Sequence, residues 1–187
     1  MKHRVLVLFL VVAAISVATY SVADDWEGHD EARRGAQGRK QGRAHYEDPA
    51  APARNAAYEA SCGGCHWAYA PQLLPKKSWE NTLATLGDHF GNKVSLSEQE
   101  KAAVRNHLLR NAADVSTAEI GRKVMRSLGG AAPARVVEVP YIQRKHRTLA
   151  PEILARKGVG GLANCIACHP GAERLDFEDD DARIPAQ

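Results

Sequence analysis

The stretch Cys62-Gly63-Gly64-Cys65-His66 decides what this chain folds around, and Cys165-Ile166-Ala167-Cys168-His169 repeats its pattern near the other end. Together the two stretches contain all 4 cysteines of the 187-residue sequence. The Cys-x-x-Cys-His spacing is the attachment signature of c-type haem. Two thiols on one helical turn can reach two vinyl groups on one porphyrin edge, and the next imidazole can turn under the iron. The sequence therefore predicts two covalently attached c-type haems.

This prediction assigns a role to each cysteine and each histidine of the two motifs. Haem attachment is assigned to Cys62, Cys65, Cys165 and Cys168, and proximal iron ligation to His66 and His169. Other uses of cysteine fit less well. A thioredoxin-like redox pair needs no following histidine, and a zinc site would bring its two cysteine pairs closer together in the sequence. Structural disulfides suit an exported protein, but they do not explain a histidine after both pairs.

Residues 1–23 have the composition of a secretory signal peptide. A basic head at residues 1–4 precedes an apolar run over residues 5–18. Ser21-Val22-Ala23 then places small residues before a predicted cleavage at Asp24. The alternative is an uncleaved membrane anchor, for which the apolar run is short. Export to the periplasm agrees with the haem prediction, because haem is joined to such proteins outside the cytoplasm.

Composition limits the size and class of the protein. A chain of 187 residues suits one domain or two small ones and excludes a large multi-domain enzyme. The formal net charge of +3 is too slight to indicate nucleic-acid binding. A mean hydropathy of −0.38 excludes a polytopic membrane protein. Because only 6% of the residues are aromatic, we expect the buried porphyrins to supply much of the apolar mass of the core.

The sequence pattern changes along the mature chain. Residues 24–57 show no apolar period and are predicted to form a disordered arm. Capped and periodic segments follow in residues 58–130, the predicted first haem lobe. Residues 131–187, the predicted second haem lobe, are mostly irregular, with helical turns near 141–146 and 162–168. The predicted fold is mainly α, with the second lobe organised around its haem.

Helix signals concentrate in the first lobe. A short helix over residues 55–65 is predicted to lead into the first motif. Ser78 is predicted as the N-cap of a second helix that ends at Gly91. Its apolar residues, spaced to share one helical face, are Trp79, Leu83, Leu86 and Phe90.

Two capping boxes are predicted further along the chain. Ser97 with Glu100 begins a helix that runs to about Asn111, and Ser116 with Glu119 begins the next helix. The apolar positions that these helices turn inward are Val104, Leu108, Ile120, Val124 and Leu128. Glycines at positions 129 and 130 are predicted to end the second of them. The β-favouring run at residues 136–139 allows one short strand.

Counting the methionines and histidines limits the candidates for the second axial ligand of each iron. Met125 is the only methionine left after the signal peptide, so two His/Met haems are excluded. The remaining imidazoles in the mature chain are His29, His45, His89, His107 and His146. The first two lie in the predicted arm, where a solvent-exposed role is expected, and His107 lies beside an apolar helical stripe. The residues alone leave the choice open, with His89 and His146 as the main candidates.

The chain resembles the dihaem cytochrome c family over about residues 58–186. The matching residues of the first lobe are Cys62–His66, Trp67, Ala68-Tyr69-Ala70-Pro71, Leu73-Leu74-Pro75, Ser78-Trp79 and Leu86–Gly91. Those of the second lobe are Pro140-Tyr141, Arg144–Arg147, Ala163–Glu173 and Arg183-Ile184-Pro185. The resemblance includes both haem motifs and the residues around them, whereas the 24–57 arm falls outside it.

The resemblance implies bis-histidine ligation of both haems, with His89 and His146 as distal ligands. The simplest pairing is local, His66 with His89 and His146 with His169, and a crossed pairing stays open. The family also implies a two-lobe fold whose first lobe resembles a small cytochrome c.

The function that the resemblance implies is that of a periplasmic electron carrier. Its implied partners are a membrane cytochrome b as donor and a small high-spin, oxygen-binding cytochrome c as acceptor. No nucleic acid and no small-molecule substrate at the irons is expected. The rivals are a dihaem peroxidase or reductase and a gas or redox sensor, both of which need an open or displaceable position at one iron.

Overall fold

Short helices joined by loops make up residues 54–186, the part of the chain described by the computed structural model. The α-helices are α1 (Ala56–Cys62), α2 (Lys76–Ala84), α3 (Glu98–Asn111), α4 (Glu119–Leu128), α5 (Pro140–His146), α6 (Pro151–Leu154) and α7 (Cys165–Cys168). Shorter 3-10 turns occupy Pro71–Leu73, Leu86–Asp88, Val136–Glu138, Ala172–Arg174 and Asp179–Asp181. No strand forms within residues 54–186, so the prediction of a mainly helical fold is confirmed. The predicted signal peptide and most of the predicted arm lie outside the described residues.

Helix α1 ends on the first cysteine of the first motif. Asn55 caps its start, because its side-chain oxygen accepts a hydrogen bond from the backbone N–H of Tyr58 at 2.8 Å. Gly63 follows the last turn and donates its N–H to the carbonyl of Glu59. The helix is therefore shorter than the 55–65 prediction, and it presents Cys62 at its C-terminal end.

The predicted N-cap at Ser78 is wrong. Helix α2 already begins at Lys76, directly after Pro75, and Ser78 lies buried inside it. Proline supplies the backbone angle that suits a helix start, and the carboxylate of Asp114 accepts a hydrogen bond from the Lys76 N–H at 3.0 Å. The helix also ends at Ala84 rather than at Gly91, and a 3-10 turn continues the chain.

The two predicted capping boxes have different outcomes. Ser97 and Glu100 form theirs at the start of α3. The predicted Ser116–Glu119 box is wrong, because Ala118 is the N-cap of α4 and Ser116 instead accepts a hydrogen bond from the Ala118 N–H. Helix α4 ends as predicted at Gly129, which adopts the left-handed conformation.

The β-favouring run at 136–139 does not form a strand. Residues Val136–Glu138 form a 3-10 turn, which the Glu138 carboxylate stabilises by accepting hydrogen bonds from the backbone N–H groups of Ala134 and Arg135. Local hydrogen bonding therefore takes the place of pairing with a neighbouring strand. The turn leaves Val136 and Val139 buried.

One hydrophobic core runs through most of the described chain. All five apolar positions predicted to face inward on α3 and α4 belong to it. Residues from beyond Gly130 also join this core, notably Val136, Val139 and Leu175. Helices α1, α2 and α3 pack together at one side, and α4 packs against α5. The core therefore joins the elements that carry the first motif to those that lead to the second.

No helix among residues 54–186 combines the length and apolar character that a membrane crossing requires.

Candidate haem sites

All four cysteines lie within the described residues, and none of them forms a disulfide. Cys62 is the last residue of α1, whereas Cys165 and Cys168 are the two ends of α7. Burial raises the pKa of the Cys62 and Cys165 thiols to about 11, so both are protonated at neutral pH. Each motif therefore holds two free thiols one helical turn apart.

The first candidate haem site comprises Cys62, Cys65, His66 and His89. The ring centres of its two histidines are 6.2 Å apart, and the ring planes meet at 26°. His66 Nδ1 lies 2.6 Å from the carbonyl oxygen of Trp67. Because a carbonyl can only accept, this contact places the proton on Nδ1 and leaves the lone pair on Nε2. Burial, then His66 and then Arg135 lower the pKa of His89, so its ring is neutral.

A tight turn aims His89 at His66. His89 donates its N–H to the Asn92 carbonyl at 2.7 Å, and Asn92 donates back to the His89 carbonyl at 3.1 Å. Phe90 and Gly91, between them, have φ angles of 53° and 87°. A left-handed phenylalanine is strained, so the turn persists only because its surroundings hold it. One such contact is the Asp88 carboxylate, which accepts a hydrogen bond from the Gly91 N–H.

The second candidate haem site comprises Cys165, Cys168, His146 and His169. Its two imidazole centres are 6.0 Å apart, and their planes meet at 77°. His146, the last residue of α5, has Nδ1 2.7 Å from the carbonyl oxygen of Ile142, so its lone pair is also on Nε2. Burial and His146 lower the pKa of His169, against the opposing effect of Asp179 and Asp176.

The second site lies in a largely apolar cavity. The apolar side chains that line it include Leu73, Ile120, Val136, Ile142, Leu154, Val159, Leu162 and Phe177. The ring of Phe177 is 5.6 Å from that of His169, edge to face. At the rim, Lys145 forms a 2.6 Å salt bridge with Asp179. The cavity therefore combines an apolar interior with two facing imidazoles and both thiols of the second motif.

Tyr69 connects the two sites, which the sequence analysis did not anticipate. Its ring stacks on His66 with centres 5.0 Å apart, and its hydroxyl donates to the Ala163 carbonyl at 2.8 Å. Ala163 comes two residues before Cys165. Burial raises the pKa of Tyr69 to about 12, so the hydroxyl keeps its proton. In the sequence, Tyr69 was marked by its position close behind the first motif and by the family resemblance, and neither signal predicted this contact.

The other candidate ligands stand apart from these pairs. His107 lies on α3, with its ring 5.2 Å from that of the buried Tyr58. Met125 packs against the hydrophobic core from α4. His29 and His45 lie outside the described residues. Within residues 54–186, the structure therefore brings His89 to His66 and His146 to His169, and it gives His107 and Met125 other neighbours.

Comparison with known families now identifies the chain. The family model described as dihaem cytochrome c matches residues 58–177. This chain belongs to the dihaem cytochrome c family. As a member of that family it carries two c-type haems, which confirms the prediction from the motifs. Its activity is haem-based electron transfer, and its partners are redox proteins.

Solved structures agree with the family assignment. The diheme cytochrome c from Rhodobacter sphaeroides is 37% identical, with a TM-score of 0.58 over 66% of this chain and 96% of that one. The diheme cytochrome type c from Shewanella baltica OS155 is 32% identical, with a TM-score of 0.58 over 71% of this chain and 94% of that one. None of the curated proteins compared with the chain matches it. The two structural neighbours confirm the predicted fold class.

Proposed function

We propose that this dihaem cytochrome carries electrons between partner proteins and that two imidazoles of its own chain ligate each of its irons. The ligands are His66 and His89 at the first site and His146 and His169 at the second. The spacing of the rings is the observation that carries the proposal. A first-row metal binds an imidazole nitrogen at about 2.0 Å, so two ligands on opposite faces of one iron hold their ring centres roughly 6 Å apart. The separations of 6.2 and 6.0 Å match this value and support the local pairing.

Hydrogen bonds to the histidines support the same assignment. A metal-bound histidine usually donates its other N–H to a carbonyl, a carboxylate or water, which fixes the tautomer and the ring orientation. His66 and His146 do so with Trp67 and Ile142. Each site therefore contains one imidazole whose Nε2 is already oriented for the iron. The free thiols beside each pair complete a set of residues that fits one haem per site.

The residues around each iron favour electron transfer over substrate chemistry. The bound haem supplies a one-electron iron couple. With two imidazoles at each site, a bound haem iron would keep no vacant position for O₂ or a small substrate. Replacing a thioether ligand by a second imidazole lowers the reduction potential. Ligands held by backbone carbonyls move little when the charge changes, which keeps the reorganisation small.

Contact between the two sites supports a relay within the molecule. The ring of Tyr69 stacks on that of His66, and its hydroxyl donates a hydrogen bond to the backbone carbonyl of Ala163, two residues before Cys165. The tyrosine therefore keeps the first imidazole close to the chain that leads into the second motif. An electron taken up at one haem would pass to the other haem and then to a partner protein.

The partners and the location follow from the family resemblance. We propose that a membrane cytochrome b supplies the electrons and that a small high-spin, oxygen-binding cytochrome c accepts them. The signal-like composition of residues 1–23 supports the periplasm as the location of this exchange. Encounters of this kind use small and weak interfaces. The division into haem lobes at residues 58–130 and 131–187 remains part of the proposal.

Low-temperature EPR of the oxidised holoprotein tests the ligation. Two low-spin signals with no high-spin signal are expected, and the reduced protein should not bind CO. A stoichiometric high-spin signal, or CO binding to one haem, would show an open or displaceable position. That result would overturn the carrier proposal in favour of a haem enzyme or a gas sensor.

A further inference from the structure

We propose that Arg135 is an electrostatic tuning residue that selectively raises the reduction potential of the first haem. The inference rests on the proposed electron-carrier function. It goes beyond that function because Arg135 comes from the chain segment after Gly130 and yet lies against the first site.

The position of Arg135 follows from two ring contacts. Its guanidinium carbon lies 4.1 Å from the centre of the Phe90 ring. The Phe90 ring centre is in turn 4.8 Å from that of His89. The positive charge is therefore one aromatic ring away from the proposed distal ligand.

The backbone of Arg135 is fixed from the other side. The Glu138 carboxylate accepts hydrogen bonds from the backbone N–H groups of Ala134 and Arg135, each at 3.1 Å. Val136 and Val139 anchor the same turn in the core. The guanidinium can therefore rest on Phe90 without depending on a flexible loop.

The charge of Arg135 is not cancelled by a partner. Arg135 takes part in none of the salt bridges formed among residues 54–186. A guanidinium over an aromatic face keeps its charge and is always protonated. At the second site, by contrast, the nearby cation Lys145 is paired with Asp179 at 2.6 Å.

The effect on the potential follows from the charge of the iron. The oxidised iron carries one more positive charge than the reduced iron. A fixed cation close by destabilises the oxidised form, and a partly desolvated position strengthens that repulsion. Arg135 therefore favours the reduced state of the first haem more than that of the second, because its guanidinium rests on Phe90 beside His89.

Redox titration of the holoprotein, followed by EPR, tests the proposal. The ring planes help to assign the two haems. Near-parallel imidazoles, as at the first site, give a rhombic low-spin spectrum, whereas near-perpendicular ones, as at the second, give a spectrum with one large g value. The variants are Arg135→Gln, Arg135→Met and the charge-conserving Arg135→Lys. Arg110→Gln, which removes an exposed cation from α3, is the matched control.

The expected result is selective. In Arg135→Gln and Arg135→Met, the equilibrium constant for reducing the first haem should fall about tenfold, which is about 59 mV for one electron. The reduction potential of the second haem should change by less than a third of that shift. Arg135→Lys should keep most of the original potential, and Arg110→Gln should leave both unchanged.

Several outcomes would overturn the proposal. Equal shifts at both haems, or the same shift in Arg110→Gln, would show an effect of net charge alone. A potential that falls as far in Arg135→Lys as in Arg135→Gln would show that the charge is not the cause. Loss of the first low-spin signal, or of haem loading in both neutral variants, would make Arg135 a structural clamp. A high-spin signal in the unmodified protein would instead contradict the proposed function itself.

Discussion

The two haem sites reach the same pairing of imidazoles from different local structures. At the first site Nδ1 of His66 lies against a backbone carbonyl, and the facing His89 comes from a strained turn. At the second site it is His146, at the end of a helix, that has this carbonyl contact, and it faces His169, which follows a four-residue helix. The same ligand chemistry therefore does not require the same scaffold, because only the distance between the rings is common to both.

The surroundings of the sites also differ. The first site begins at the end of α1, and both α1 and α2 pack against α3. The second site is enclosed by short helices and loops around an apolar cavity. We expect the second region to depend on its haem far more than the first.

The largest expected effect is a loss of folded structure around the second site. Replacing Cys165 and Cys168 by serine should prevent attachment of the second haem and leave its apolar cavity unfilled. Amides of residues 140–177 should then exchange as in an unfolded segment, while those of α3 stay protected. Hydrogen exchange with mass spectrometry measures both. The matched variant replaces Cys62 and Cys65, and equal loss of protection in the two variants would remove the difference between the regions.

The next largest effect is the expected loss of one iron ligand from a single haem. His89→Ala and His146→Ala should each convert one of the two haems to a high-spin form that binds CO when reduced, because one iron loses a ligand. Optical spectra under CO measure the fraction. His107→Ala is the control, since its imidazole packs on Tyr58 instead, and CO binding in that variant would mean that the ligands are wrongly assigned.

Core packing should show the difference in stability. Leu108 on α3 is 2% exposed, and Leu108→Ala should destabilise the holoprotein by about 3 kcal/mol through the cavity it leaves. Leu154, which is partly buried and lines the second cavity, should cost about 2 kcal/mol on the same change, because the haem would cover it in the holoprotein. Denaturant unfolding measures both. A larger loss for Leu154→Ala would place the main structural core at the second site.

The smallest effect concerns the contact between the sites. Tyr69→Phe removes the hydroxyl that donates to Ala163 but keeps the ring on His66. We expect a loss of about 1 kcal/mol in unfolding free energy, with unchanged EPR signals. If one EPR signal changes shape, then the hydrogen bond also sets the orientation of a ligand.

Sequence reasoning succeeded where a residue acts through its immediate neighbours. The Ser97–Glu100 box and the left-handed Gly129 follow from short-range hydrogen bonding and backbone freedom, and both are present. It failed at Ser78, where Pro75 and the distant Asp114 moved the start of α2. It also failed at residues 136–139, where a side chain satisfied the backbone in place of a neighbouring strand.

The sequence by itself determined that the chain carries two haems, because thiol attachment needs only the local spacing of each motif. The family resemblance added His89 and His146 as proposed ligands. Tertiary structure alone decided which imidazole faces which, at what ring angle, and that Arg135 and Tyr69 lie against the first site. These features depend on contacts between residues far apart in the chain, and such contacts are set by how the helices pack around one core.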